Sequence, residues 1–389
     1  MPIPMKSPVP ALVLQMLPRH CMTSFMGRNK TPLPGKIRDI ARGTPMMHKP
    51  RETFRPIEYL GCIALTLSIM ILCICVGSVN VSVRDTISAI ADTVLGRPIA
   101  QENLQSIIVF VRVPRVLCVA LAGAALSLCG AAMQGLLRNP LADGSTLGIS
   151  SGASLGAAIS IAFGLTIPGI PLAGTMVFAI LFAFFSMVII LSLTYRLDYS
   201  LSTNTIILLG VVFSMFANSI LNFIMTFSGE KLRSITFWTM GSLSGSNYTH
   251  VLILLTALLL LGGILLRYRR ELNAFAIGED NARHIGVPVK RVKLMIMITV
   301  AALLGICVSI GGTIGFVGLI IPHITRMLTG PNHKRLLPAA IFFGASFLML
   351  CDLIGRILLR PLELPIGVVT SFFGSIAFVF IFHRTRRIK

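Results

Sequence analysis

Three arginines are the residues of this chain best suited to meeting a partner. Arg112 and Arg115 lie three positions apart at the mouth of a long apolar run, and Arg356 lies one helical turn beyond Asp352 near the end of another. A guanidinium is planar and can hold a carboxylate through two parallel hydrogen bonds, so such residues suit recognition of an acidic surface. The plainer reading is interfacial snorkelling, with Arg356 pairing with Asp352 at i, i+4. A second polar group is the mixed-charge segment GEDNARHIGVPV at 278–289. It is helix-capable between Gly278 and Gly286 and is stopped by Pro288. Asn139 with Leu141, and Thr203 with Asn204, stand at the ends of apolar runs, where Ser, Thr and Asn commonly cap helices.

Other chemistries lack their residues. The chain has no GxxxxGK[ST] loop to cradle nucleotide phosphates, no HExxH or HxxxH pair and no GxSxG elbow. Seven of the eight cysteines fall in apolar runs without CxxC spacing, which suits small buried side chains rather than metal ligation or disulfides. His323, following Pro322, is one polar group on an apolar helix and makes no coordination shell. No catalytic residue, metal or cofactor is therefore expected.

The elements that must position these residues are membrane helices. Of 389 residues, 54% are hydrophobic and 12% charged, against roughly 25% charged in a soluble domain, and the mean hydropathy is +0.85. The net charge of +20 sits at the N-terminus, in the loop 267–293 and in the tail 383–389, which fits the positive-inside rule and not a nucleic-acid surface. The pattern predicts an all-α polytopic membrane protein of about ten spans: Tyr59–Val79, Val113–Met133, Leu141–Phe163, Leu172–Leu193, Thr203–Phe227, His250–Leu266, Val292–Ile310, Phe316–Leu328, Leu337–Leu358 and Ile366–Phe382. The eighth is short for a full crossing, so it is expected to be partly re-entrant or shielded by neighbours. An even count places both termini on one side. The loop 267–293 holds seven basic against three acidic residues, whereas 82–112 balances three against three, so that side is cytoplasmic. Glycines at 148, 152 and 156 put a bare stripe on the third span, suited to close helix packing. Residues 1–57, basic and proline-rich, read as a disordered cytoplasmic extension, with translation starting in fact at Met46 or Met47 as a further expectation. Residues 58–389 form the transmembrane domain, with the loop 268–293 set into it.

Seven segments in order resemble the FecCD-type permease family, the membrane subunits of binding-protein-dependent ABC importers for iron–siderophores, haem and vitamin B12. They are RVPR at 112–115, GAAMQGLLRNPLAD at 130–143, LGISSGASLG at 147–156, LSTN at 201–204, GEDNARHIGVPV at 278–289, GGTIGFVGLIIPHITR at 311–326 and ELPIGVVTSFFG at 363–374. One departure is Gly144, where the family often has proline; the long N-terminal extension is another. The resemblance implies a type II ABC importer permease: a homodimer of ten-helix subunits in a bacterial or archaeal cell membrane. Two identical ATPase subunits attach on the cytoplasmic side and a soluble or lipid-anchored solute-binding protein docks outside, so ATP hydrolysis belongs to a partner chain and this chain is not an enzyme. It also implies residue roles. Gly278, Glu279, Ala282 and Gly286 couple to the ATPase; Arg112, Arg115 and Arg356 are sockets for acidic residues of the binding protein; Asn139, Leu141, Thr203 and Asn204 form the cytoplasmic gate. The expected cargo is an iron–siderophore, on the family's commonest use. The alternative is an ion-coupled secondary transporter, which needs carboxylates within the spans; apart from Asp352 the span interiors hold almost none.

Overall fold

The computed structural model describes residues 54–77, 82–95, 106–144, 147–167, 173–199 and 201–386. The predicted extension, apart from its last residues Phe54–Ile57, lies outside them, as does the alternative start at Met46 or Met47. The described chain is helical. Fourteen helices carry it: α1 (Pro56–Cys75), α2 (Val83–Leu95), α3 (Ser106–Leu136), α4 (Ile149–Phe163), α5 (Ala173–Leu197), α6 (Thr203–Phe227), α7 (Leu232–Thr239), α8 (Tyr248–Arg267), α9 (Arg269–Ala276), α10 (Glu279–His284), α11 (Val289–Gly311), α12 (Val317–Thr329), α13 (His333–Ile357) and α14 (Ile366–Arg386). An isolated bridge pairs Leu359 with Leu362.

Seven helices (α1, α3, α5, α6, α8, α11 and α13) are long and apolar enough to cross a membrane. α4, α12 and the apolar part of α14, Ile366–Phe380, are shorter. Each predicted apolar run thus meets an apolar helix, and α6 has the predicted bounds. The third run differs most: α4 begins at Ile149, not Leu141, because 137–144 forms turns around Arg138 (φ +48°) and Asn139, whose carbonyl accepts from Ala142 N at 3.1 Å. α12 has 13 residues, about 20 Å of rise, short of a bilayer core as the sequence predicted. The amphipathic α2 and α7 were not expected as helices. They are too short and too polar to register as apolar runs.

The core centres on α3, which is buried along most of its length between α13, α12, α11, α1 and α8. Its sequence VALAGAALSLCGAAMQG offers almost nothing larger than leucine, so neighbouring backbones can approach closely. A Cβ on Gly123 would collide with the carbonyl of Gly344 on α13, and one on Gly130 with that of Gly318 on α12. The glycine stripe of α4 works likewise: a Cβ at Gly152 or Gly156 would strike the carbonyls of Phe182 and Phe178 on α5. Small residues serve as the contact surface because, in lipid, helix association rests on packing rather than on exclusion of water.

Candidate functional site

The loop 268–293 is a structured hairpin of two short helices. α9 turns Leu272, Ala274 and Phe275 into the core. Its Asn273 donates to Asn332 Oδ1 at 2.9 Å and accepts from His333 N at 2.8 Å, which fastens it to the N-terminus of α13. α10 begins after Gly278 (φ +118°) and carries Glu279 and Asp280 in its first turn with Arg283 and His284 in its last, the order that complements a helix dipole. It ends in a Schellman motif: Val287 N donates to Ala282 O at 3.0 Å and Gly286 N to Arg283 O at 2.9 Å, with Gly286 in the left-handed region at φ +88°. Ala282 consequently faces the core, fully buried, and is not on a partner-facing surface. The expected coupling residue thus packs into the bundle rather than toward solvent. One side of a two-turn helix must cover the bundle, and the alanine is the residue small enough to do so.

The surface-facing side is different. Asp280, Asn281, Arg283 and His284 are exposed, and so are Ile277 and Ile285, at 64% and 65%. Glu279 is fixed instead: its Oε1 lies 2.7 Å from Lys293 Nζ on α11. The lysine side chain is fully buried and also donates to Leu201 O at 2.8 Å. Leu201 (φ +54°) precedes Ser202, the true N-cap of α6, whose Oγ accepts from Thr205 N at 3.4 Å. Asp198 Oδ2 accepts from both Ser202 N and Thr205 Oγ1 at 3.2 Å. Thr203 and Asn204 are therefore not the cap; they begin the helix.

These elements enclose a polar cleft of about 580 Å³ lined by Arg138, Ser202, Thr203, Asn204, Gly278, Glu279, Asp280, Asn281 and Arg283. Two expected coupling residues and two expected gate residues thus meet in one place. Asn139 and Leu141 stand one turn away: Asn139 Oδ1 accepts from Leu141 N at 2.9 Å, shaping the turn that carries Arg138, and Leu141 is exposed. Sequence reasoning missed Lys293 and Arg138. The signal for Lys293 was present, since it lies in phase with Ile296, Met297, Val300 and Leu304, the buried face of α11.

Toward the other end of the 31-residue α3, about 35 Å from Leu136 along the helix, the three arginines point inward. Arg112, Arg115 and Arg356 are 5%, 8% and 3% exposed. Arg112 Nη1 donates to the carbonyls of Ile74 and Cys75 at 3.1 Å, and Arg356 to those of Cys73 and Val76 at 3.1 and 3.3 Å. Two cations thereby satisfy the last carbonyls of α1, where the helix dipole is negative. Arg115 reaches Asp352 Oδ1 through Nε and Nη2 at 3.1 and 2.9 Å and Glu363 Oε2 at 2.8 Å, while Arg356 Nε sits 2.9 Å from Asp352 Oδ2. In place of free sockets, the three guanidiniums are buried and paired within the chain, with Arg356 beside Asp352 at i, i+4. A guanidinium taken from water must find acceptors, and these have found theirs within the chain. Asp352 is equally engaged, held between two guanidiniums, so it is no free carboxylate for ion coupling.

The family is decided by the sequence. The profile of the FecCD transport family matches residues 65–384. The chain belongs to the FecCD transport family. It is 43% identical over 282 residues to the uncharacterized ABC transporter permease protein YvrB of Bacillus subtilis, covering 72% of this chain and 80% of that one. It is 33% identical over 288 residues to the cobalamin import system permease protein BtuC of Halobacterium salinarum, covering 74% and 76%. Among solved structures, an inward-facing conformation of a metal-chelate type ABC transporter superposes with a TM-score of 0.75 at 31% identity, covering 85% of this chain and all of the other. This chain is thus a multi-pass membrane permease subunit of a FecCD-type ABC importer.

Proposed function

We propose that this permease carries a metal chelate, an iron–siderophore in the first instance, into the cytoplasm as a homodimer. Separate ATPase subunits drive it through the α9–α10 hairpin, and a solute-binding protein delivers cargo at the opposite end. Relatives that handle cobalamin or metal chelates support the cargo class. The observation that carries the ATPase contact is the two-sided character of α10. Its inner side is locked by Ala282 and Glu279, while Ile277 and Ile285 stand exposed on a segment outside every candidate span. Apolar side chains flanking a rigid polar helix form an anchor pair for a partner's groove, and a rigid element transmits displacement without absorbing it. The coupling role accordingly passes from Ala282 to this exposed side, with Gly278 and Gly286 setting the ends of the helix.

The test is co-purification of the permease with its ATPase, with uptake of a radiolabelled iron–siderophore in proteoliposomes holding binding protein and ATP. Replacing Ile277 and Ile285 together by Glu is expected to lower ATPase retention and uptake at least tenfold while leaving membrane insertion intact. Retention and uptake at the parent level would place the ATPase contact elsewhere. Uptake of cobalamin with no uptake of any iron chelate would reassign the cargo.

A further inference from the structure

The expected coupling and gate residues lie on different elements, and the structure joins them through one buried ammonium. Lys293 stands on the first turns of α11, where its side chain is wholly inaccessible to solvent. Its Nζ forms an ion pair with Glu279 Oε1 at 2.7 Å, in the first turn of α10, and donates to Leu201 O at 2.8 Å, in the turn before α6. α10 packs chiefly on α9 and α11, and from α11 this one ammonium meets both α10 and the turn before α6. Leu201 has an uncommon left-handed backbone, which aims its carbonyl at the ammonium, and the following residues are the Ser202 cap, then Thr203 and Asn204 on the cleft.

We propose that Lys293 is a positioning residue that ties α10 to the turn opening α6, so that displacement of α10 moves Thr203 and Asn204. The proposal rests on the reading of α10 as the ATPase contact. Its physical basis is that water cannot replace a lost acceptor at a fully buried ammonium. If Glu279 moves, the ammonium must follow it and pull on Leu201, or the pair must break and leave a buried charge, which is strongly disfavoured. The link therefore favours two discrete arrangements over a continuous stretch, as a mechanical switch requires.

The experiment uses the full chain assembled with its ATPase in nanodiscs. Asn204, which is exposed, is replaced by Cys and labelled with a membrane-impermeant maleimide, with and without ATP plus vanadate. In the parent complex the nucleotide is expected to change the labelling rate at least threefold. In Lys293→Met that ratio is expected to fall to about one while the ATPase still co-purifies and hydrolyses ATP; in Lys293→Arg, which keeps a charged donor, most of the change should return. A merely structural role for Lys293 would alter thermal stability and leave the nucleotide-dependent ratio in place. An unchanged ratio in Lys293→Met overturns the proposal, and so does a parent complex in which nucleotide does not alter labelling. Should Lys293→Met fail to insert, Glu279→Gln carries the same test: at least halving of the ratio supports the link, and the parent ratio overturns it. ATPase that does not co-purify with the parent chain overturns the reading of α10 itself, an outcome visible before any labelling.

Discussion

Asp352 accepts from Arg115 through one oxygen and faces Arg356 through the other, with all three side chains buried. Removing one member of such a cluster leaves uncompensated charge, whereas replacing the whole set by apolar side chains is often close to neutral. Asp352→Asn is therefore expected to destabilise the permease by about 3–5 kcal/mol, read as a fall in Tm in detergent. The combined change of Arg115, Asp352 and Arg356 to Met, Leu and Met should recover much of that loss. For the same reason Arg112→Glu and Arg356→Glu should reduce the yield of folded protein rather than the rate at which a binding protein associates. The i, i+4 spacing of Asp352 and Arg356 was legible in sequence. Their joint burial with Arg115, 237 positions from Asp352, was not, because nothing local distinguishes an arginine entering the bundle from one at its rim.

Two glycines separate backbone conformation from packing at the scale of elements. Gly286 closes α10 at φ +88°, and a Cβ there would meet no atom within 4 Å. Gly286→Ala is expected to cost about 1 kcal/mol from backbone strain alone, with the permease still folded and ATPase retention reduced because the end of α10 frays. Gly156 is an ordinary helical residue whose Cβ would strike a carbonyl of α5. Gly156→Leu should force α4 from α5 and cost upwards of about 3 kcal/mol, at the top of the range for overpacking. Thermal unfolding of both variants side by side, with ATPase co-purification of the first, checks the pair. The stripe at 152 and 156 was readable because its spacing repeats with the helix, whereas Gly148, expected on the same stripe, is the left-handed N-cap before α4 (φ +67°). α2 and α7 were hidden because an amphipathic segment of 8 to 13 residues is neither apolar enough for a span nor long enough to show a clear period.

Charge distribution sets the expectation for the whole molecule. The hairpin between α8 and α11 is rich in Arg and Lys, as is the tail beyond α14, and basic segments are retained on the cytoplasmic side. Green fluorescent protein fused after Lys389 is expected to fluoresce, and alkaline phosphatase fused there to remain inactive. A phosphatase fusion after Gly245, between α7 and α8, should be active. The opposite pattern would invert the orientation and place the hairpin beyond the reach of any cytoplasmic ATPase.

Composition and hydropathy by themselves determined that this chain is helical and membrane-embedded, because a backbone in lipid must satisfy its own hydrogen bonds and long apolar runs leave the helix as the solution. Motif order determined the family, and the bounds of Thr203–Phe227 followed from the local signals flanking an apolar run. Tertiary structure alone decided where the charges point. Arg115 and Asp352 meet across two helices, Lys293 joins two loops and a span, and Ala282 turns inward while its neighbours turn out. A polar side chain in a bundle goes where desolvation is compensated, and that compensation comes from residues distant in sequence and adjacent only in space.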